Sequence, residues 1–259
     1  MKQPIIIDTL EWYRQDYLQA QAQDDATRKE LAQIFDLFAR NQRLNPDRAR
    51  RYLEQGLRLA ESPDGHPYWE LMFAYWHYTL TAPGVGDVDA VMRLYMKTIA
   101  PKYRDCPIIG RIYAAMIDAY VWADPISYAA DIRQAIDYTF TEVPIEKNTY
   151  QRILLAKARM HYELQEPMSI LNTATRLLQM SDDYAPDTIN AYLLLAQANI
   201  ALESYDKAFD NARLAHDVAQ AEEAHDFQRA ALTVQAAVLA HQRDWGSAEV
   251  VRFQMRVMV

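Results

Sequence analysis

The residues best suited to chemistry in this sequence are six histidines and two pairs of adjacent aspartates. The histidines are scattered, and no two are four residues apart, the spacing that places two metal ligands on one helix face. Asp24-Asp25 and Asp182-Asp183 each precede a predicted helix, where aspartate accepts hydrogen bonds from free backbone N–H groups and stabilises the helix dipole. We therefore expect these aspartates to be helix caps, and we expect no metal site.

Common catalytic motifs are not found in the sequence. It contains no G-x-S-x-G, H-E-x-x-H or P-loop pattern, and the pair Gly84 and Gly86 is too short for a loop that cradles phosphate. The single cysteine, Cys106, cannot form an internal disulfide, which is typical of a reducing compartment. We therefore expect no enzymatic activity and no cofactor; an enzyme built on a helical scaffold is the less favoured alternative.

Composition points to a helical, cytoplasmic protein. The chain is 51% hydrophobic but has only 6 glycines, and its long segments without turn residues favour an all-α fold. A net charge of −8 would repel a nucleic-acid backbone, so we expect no general nucleic-acid binding. The run Ile5-Ile6-Ile7 is too short for a signal peptide, and no apolar stretch reaches the ~18 residues that span a bilayer.

Prolines and polar residues divide the sequence into helices joined by short connections. Asn45-Pro46 and Asp124-Pro125 have the form of an N-cap followed by proline at the first helical position. Short connections make consecutive helices antiparallel neighbours, so the predicted unit is a helix hairpin. The number of breaks predicts about six hairpins along residues 1–259, which we expect to form a single domain.

A repeat is evident in the second half of the chain, over residues 150–259. Three sets of residues recur at intervals of 40: Ala156, Ala196 and Ala236; Tyr205 and Trp245; Ala208 and Ala248. Small residues at these positions would let the two helices of a hairpin approach closely. Hairpins of this kind stack on their neighbours, because one hairpin cannot bury both of its apolar faces.

The best copy of the repeat resembles the tetratricopeptide repeat, in its variety with longer helices. The resemblance is carried by large, small and turn-aromatic positions, namely Tyr192, Leu195, Ala196, Tyr205, Ala208, Ala212 and Ala215. Asn199 departs from the pattern, since it stands where that family usually has an aromatic residue, and the period exceeds the usual ~34 residues. The resemblance implies a right-handed superhelix whose concave groove is lined by the first helix of each hairpin.

Carrying the repeat register along the first helices predicts which residues line this groove. They are Tyr113, Tyr120, Tyr150, Lys157, His161, Asn190, Gln197, Thr233 and His241. Their mixed polar and aromatic character suits an extended peptide or a partner helix. The predicted function is that of a non-enzymatic scaffold or adaptor that binds a protein or peptide. The alternative is a regulator, or its sensor region, that detects a small ligand or peptide.

An aromatic segment lies outside this register. Tyr68, Tyr75 and Tyr78 share one face of a predicted helix, while Trp69 and Phe73 share another face that we assign to the core. We expect the three tyrosines to pack at a helix interface; the alternative is an exposed aromatic patch that binds a partner.

The last helix, within residues 245–259, has apolar residues on more than one side. They are Val250, Val251, Phe253, Met255, Val257, Met258 and Val259. A solenoid normally ends in a polar capping helix. A second subunit, a continuation of the chain, or folding back onto a neighbouring helix would each cover the extra face, and we favour self-association into a homodimer.

Overall fold

The structure is a computed structural model that describes residues 5–8, 15–16, 18–20, 23, 25–81, 87–103, 106–181 and 185–257. Twelve α-helices are delimited within these residues: α1 (Ala26–Asn41), α2 (Pro46–Ala60), α3 (Pro67–Thr81), α4 (Val88–Thr98), α5 (Ile109–Ala123), α6 (Ala129–Glu142), α7 (Lys147–Glu163), α8 (Pro167–Met180), α9 (Ala185–Ala201), α10 (Tyr205–Ala221), α11 (His225–His241) and α12 (Trp245–Val257). Among the described residues, extended pairing is limited to one isolated parallel bridge between Ile6 and Ile145. The prediction of an all-α fold is confirmed.

Several helix starts follow the predicted capping chemistry. The Asp25 carboxylate accepts a hydrogen bond from the N–H of Arg28, and the Asn45 side chain accepts one from the N–H of Arg48, with Pro46 at the first helical position. Asp124 differs from the prediction. Its carboxylate accepts from the N–H groups of the next turn, and α6 begins only at Ala129. The pair Asp182-Asp183 lies outside the described residues.

The chain divides into two compact units, Met1–Tyr150 and Gln151–Val259, with the boundary inside α7. In the first unit, consecutive helices from α1 to α6 contact each other in order. In the second, the same holds from α8 to α12, and α9 also contacts α11. This packing of consecutive helices is compatible with a helical repeat. The predicted single domain and the predicted handedness of the superhelix stay predictions.

The 40-residue interval is confirmed for the last two hairpins. The helices α9 and α11 begin 40 residues apart, and so do α10 and α12. Ala196 and Ala236 are both buried, and Ala208 and Ala248 are fully buried. The small residues therefore lie in the interior, as the repeat requires.

The register of the preceding hairpin differs by two residues. Helix α7 ends 38 residues before α9 ends, because α8 is three residues shorter than α10 and the connection that follows α8 is one residue longer than the connection that follows α10. The structural counterpart of Ala196 in α7 is accordingly Ala158, not Ala156, although both alanines are buried. Matching alanines by a constant interval was therefore wrong for this copy.

Four helices of the repeat region end in the same way. Gln165, Glu203, Glu223 and Arg243 have left-handed backbone, with φ between 54° and 62°. After α9, the N–H of Glu203 donates to the carbonyl of Ile200 at 2.9 Å, and the N–H of Ser204 donates to the carbonyl of Asn199 at 2.8 Å. The ends of α7, α10 and α11 repeat this pair of bonds, which defines the Schellman motif. The following helix begins two residues after the left-handed one.

A left-handed backbone costs an L-amino acid roughly 1–2 kcal/mol, and glycine avoids this cost at the expense of greater entropy in the unfolded chain. We therefore expect Glu223→Gly to raise the free energy of unfolding by about 0.5–1 kcal/mol, measured by urea denaturation. The matched control is Glu222→Gly, since Glu222 has φ −93°. It should lower the stability instead, and equal effects of the two variants would contradict the motif's assigned role.

Candidate functional site

Accessible residues recur along one side of the first helices α7, α9 and α11 in the second unit and form a narrow strip. We call it the first-helix strip. Once the two-residue shift is applied, its members occupy equivalent positions in the three helices: Arg152, Leu155, Arg159 and Tyr162; Asn190, Leu193, Gln197 and Ile200; Ala230, Thr233, Ala237 and Ala240. All twelve are half-buried or exposed.

Neighbouring helices bury the other sides of each first helix. Helix α9 contacts α8, α10 and α11. Its residues Ile189, Ala191 and Ala198 are fully buried, whereas Leu193 and Gln197 on the strip are half-buried. Since a helix turns by about 100° per residue, the strip positions at intervals of three and four fall on one side. The solvent-facing surface of each first helix is therefore determined by stacking.

Three predicted groove residues lie on the strip, namely Asn190, Gln197 and Thr233. His241 is exposed at the end of α11, and its ring stacks on Tyr205 with centroids 5.5 Å apart and planes 14° from parallel. The Asn190 side chain donates to the carbonyl of Pro186 at 2.8 Å, which holds it along its own helix.

The three predicted groove residues in α7 do not lie on the strip. Tyr150 is fully buried, and its ring centroid lies 4.6 Å from that of Phe140. His161 is also buried, with Nδ1 2.6 Å from Oε2 of Glu166. Lys157 lies about half a turn around the helix from Leu155 on the strip. The cause is the two-residue shift, because the 40-residue interval assigns the buried Tyr150 and His161 to the groove, whereas Lys157 is half-buried.

The residues that sequence reasoning missed in α7 are Arg152, Leu155, Arg159 and Tyr162, of which Tyr162 is 48% exposed. Counting back from the turn would have found them. The turn after α7 has the same form as the turn after α9, so the sequence around Gln165 and Glu203 carries the correct register.

The chemistry of the strip is apolar with positive charge. It contains two arginines and no carboxylate. Leu155, Leu193, Ile200 and Tyr162 supply partly accessible apolar area on two of the three helices. Such a surface can hold side chains of a peptide or helix.

In the first unit, the two predicted tyrosines of α5 belong to a series of ring contacts. Tyr113 packs edge-on against Tyr95 at 5.3 Å between centroids and contacts Tyr138 at 5.5 Å. Tyr120 stacks on Tyr128 at 4.7 Å, and its hydroxyl donates to Sδ of Met92 at 3.3 Å. Both tyrosines are half-buried, so packing against neighbouring helices uses much of their surface.

Burial raises the pKa of the Tyr113 hydroxyl, and hydrogen bonding with Tyr95 raises it further. Burial also raises the pKa of Tyr120, with the Asp131 carboxylate as a second cause. Both phenols are therefore neutral at physiological pH. In both residues, burial stabilises the uncharged hydroxyl and does not favour a phenolate.

The aromatic segment of α3 forms part of the core. Tyr68 and Tyr75 are 2% and 5% exposed, so they pack at helix interfaces and do not form an exposed patch. Trp69 and Phe73 are buried, as predicted. Close packing extends to α2, where a Cβ added to Gly56 would clash with the Phe73 ring.

Tyr78 differs from the other two tyrosines, because it is half-buried and lines a cleft of about 360 Å³ between α3 and α4. The cleft is lined by apolar and charged groups: Leu57, Ala74, His77, Tyr78, Thr81, Asp87, Ala90, Arg93, Leu94 and Lys97. Its volume is at the lower end of the range for small-molecule sites, ~300–1,000 Å³. The Lys97 ammonium is 3.0 Å from a carboxylate oxygen of Glu61, so an ion pair already engages it.

Within the described part of the chain, no three histidine, cysteine or acidic side chains are grouped so that they could hold a metal ion. The same residues include no helix with the length and apolar character needed to cross a bilayer.

Comparison of the sequence with models of known protein families gives no match. Comparison with curated proteins gives none either.

Because the folded state raises the pKa of Tyr113, this residue's contribution to stability is complete below the ordinary tyrosine pKa of about 10 and is lost as the pH rises above it. We expect Tyr113→Phe to weaken the alkaline loss of stability between about pH 9 and 12, measured by urea denaturation at each pH. The difference in the free energy of unfolding between the two proteins at pH about 8 gives the cost of losing the hydroxyl contact itself. Parallel pH profiles would contradict the assigned role.

Proposed function

We propose that this chain is a non-enzymatic protein- or peptide-binding module, similar to tetratricopeptide-repeat proteins. The first-helix strip is the surface that holds the partner. The proposal includes the right-handed superhelix that this resemblance implies, and a cytoplasmic location, to which the single cysteine is suited.

The main support is the common register of the strip in three successive first helices. Repeat proteins generally bind along such a surface, because equivalent positions on stacked units form one continuous face. Direct contact between α9 and α11 makes their parts of the strip adjacent. The resemblance to tetratricopeptide repeats also favours this function, by analogy at the level of the fold.

The composition of the strip favours a partner with carboxylates between apolar side chains. Arg152 and Arg159 are separated by seven residues, or two helical turns, on the same side of α7. The apolar side chains Leu155 and Tyr162 alternate with them. A peptide or helix with acidic and apolar groups in alternation would complement the charge and the apolar area of this surface.

The test uses equivalent strip positions on two helices. We expect Gln197→Glu with Ala237→Glu to weaken peptide binding by at least about tenfold, which is about 1.4 kcal/mol, because two negative charges would oppose an acidic partner. Peptides are first selected on the wild-type protein from a random display library, and their affinities are then measured by calorimetry. Selected sequences should be rich in Asp and Glu between apolar residues.

The matched control adds the same charge elsewhere. Gln179→Glu and Gln220→Glu are exposed changes on the second helices α8 and α10 and should leave the affinity unaltered. Equal losses in the two double variants would count against the strip as the binding surface. Failure to select any peptide on the wild-type protein would count against the function itself.

The cleft between α3 and α4 favours a second candidate, a ligand-sensing function. Its mixed lining of Leu94, Arg93 and His77 suits a small molecule with apolar and polar parts. Native mass spectrometry of the purified protein should then detect a bound small molecule, and Ala90→Trp, which fills the cleft, should abolish it. A bound species that persists in this variant would exclude the cleft as its site.

A further inference from the structure

Helix α12 has a second apolar side opposite the one that packs on α11. Val251 and Met255 lie in the cluster formed with Leu232 and Ala236 of α11. Val250 and Phe253 lie about half a turn away and are 60% and 61% exposed. With Gly246 before them and position 257 after them, they form one stripe, which we call the outer stripe of α12.

The equivalent stripes of the other second helices are mostly polar or charged. In α10, which has the same register 40 residues earlier, the positions are Asp206, Asp210, Arg213 and Asp217, all exposed. In α8 the corresponding positions are Met168, Asn172, Thr175 and Gln179, also exposed, and Met168 is the one apolar residue among them. The repeat geometry thus leaves this side of a second helix in water, and α12 alone among the three places valine and phenylalanine there.

We infer that the outer stripe of α12 binds the same stripe of a second copy of this chain, with the two helices antiparallel. The spacing of positions 246, 250, 253 and 257 alternates four and three residues, which is the spacing of core positions in a two-helix coiled coil. A two-fold axis near the middle of the stripe places Phe253 opposite Val250 of the second copy and Gly246 opposite position 257. Phe253, the larger of the two side chains, then faces the smaller Val250.

Charges beside the stripe are self-complementary only in the antiparallel arrangement. Glu249 and Arg256 lie on the same side of it, two turns apart, and their charged groups are 3.7 Å from each other within one chain. Antiparallel pairing places Glu249 of each copy beside Arg256 of the other, which makes two ion pairs. The dipoles of two antiparallel helices also attract each other.

The surface involved is small, since one stripe on a 13-residue helix buries less area than most stable dimers require. We therefore expect a dimer that dissociates in the micromolar range. Sedimentation velocity from about 1 to about 100 µM should show the wild-type mass rising from monomer to dimer.

The decisive variant transfers the α10 residues to α12. Val250→Asp with Phe253→Arg introduces the residues that stand at the equivalent positions 210 and 213, so the helix should still fold and pack on α11. Circular dichroism and thermal unfolding check this. The variant should remain a monomer over the whole range, while the control Met168→Asp, which changes an exposed apolar residue on α8, should dimerise like the wild type.

A charge exchange tests the orientation. Glu249→Arg and Arg256→Glu should each weaken the dimer by about fivefold, and the two together should restore it, because the exchange recreates both ion pairs. A monomeric wild-type chain at the highest concentration, or an undiminished dimer in the Val250 and Phe253 double variant, would overturn the inference. A double charge variant as weak as the single ones would overturn the antiparallel pairing.

Discussion

The arrangement of the second unit depends on how its helices end. Four of them end in a turn with one left-handed residue, and the next helix begins two residues later. Because this turn is so short, the following helix must run antiparallel to the helix before it and pack against it. The stacking, the burial of the small residues and the positions of the accessible surfaces all follow from this constraint.

The constraint explains why the first and second helices have different surfaces. A first helix such as α9 has three neighbouring helices, so alanine is favoured where helices approach, and the first-helix strip remains partly accessible. A second helix such as α10 is buried along one side, at Ala208, Ala212 and Ala215, and its opposite side carries charges. The apolar outer stripe of α12 departs from this division.

The register could be predicted wherever the helices had equal lengths. Helices α9, α10 and α11 have 17 residues each, so a constant interval located Ala196 and Ala236 correctly. The shorter α8 altered the interval, and the same reasoning then assigned the inward-facing Tyr150 and His161 to the groove. Small residues are common on several sides of these helices and are poor markers of register, whereas the turn residues mark it reliably.

What the sequence by itself determined is local: that the chain is helical, where many helices begin and end, and which residues share a side of each helix. These properties depend on backbone hydrogen bonding, capping and the helical period. Only the tertiary structure decided which shared side is buried. Tyr75 and Phe253 illustrate this, because both lie on apolar sides of their helices, yet one is 5% exposed and the other 61%. Burial depends on which helices pack as neighbours, and neighbours distant in sequence leave no periodic signal in the helix they cover.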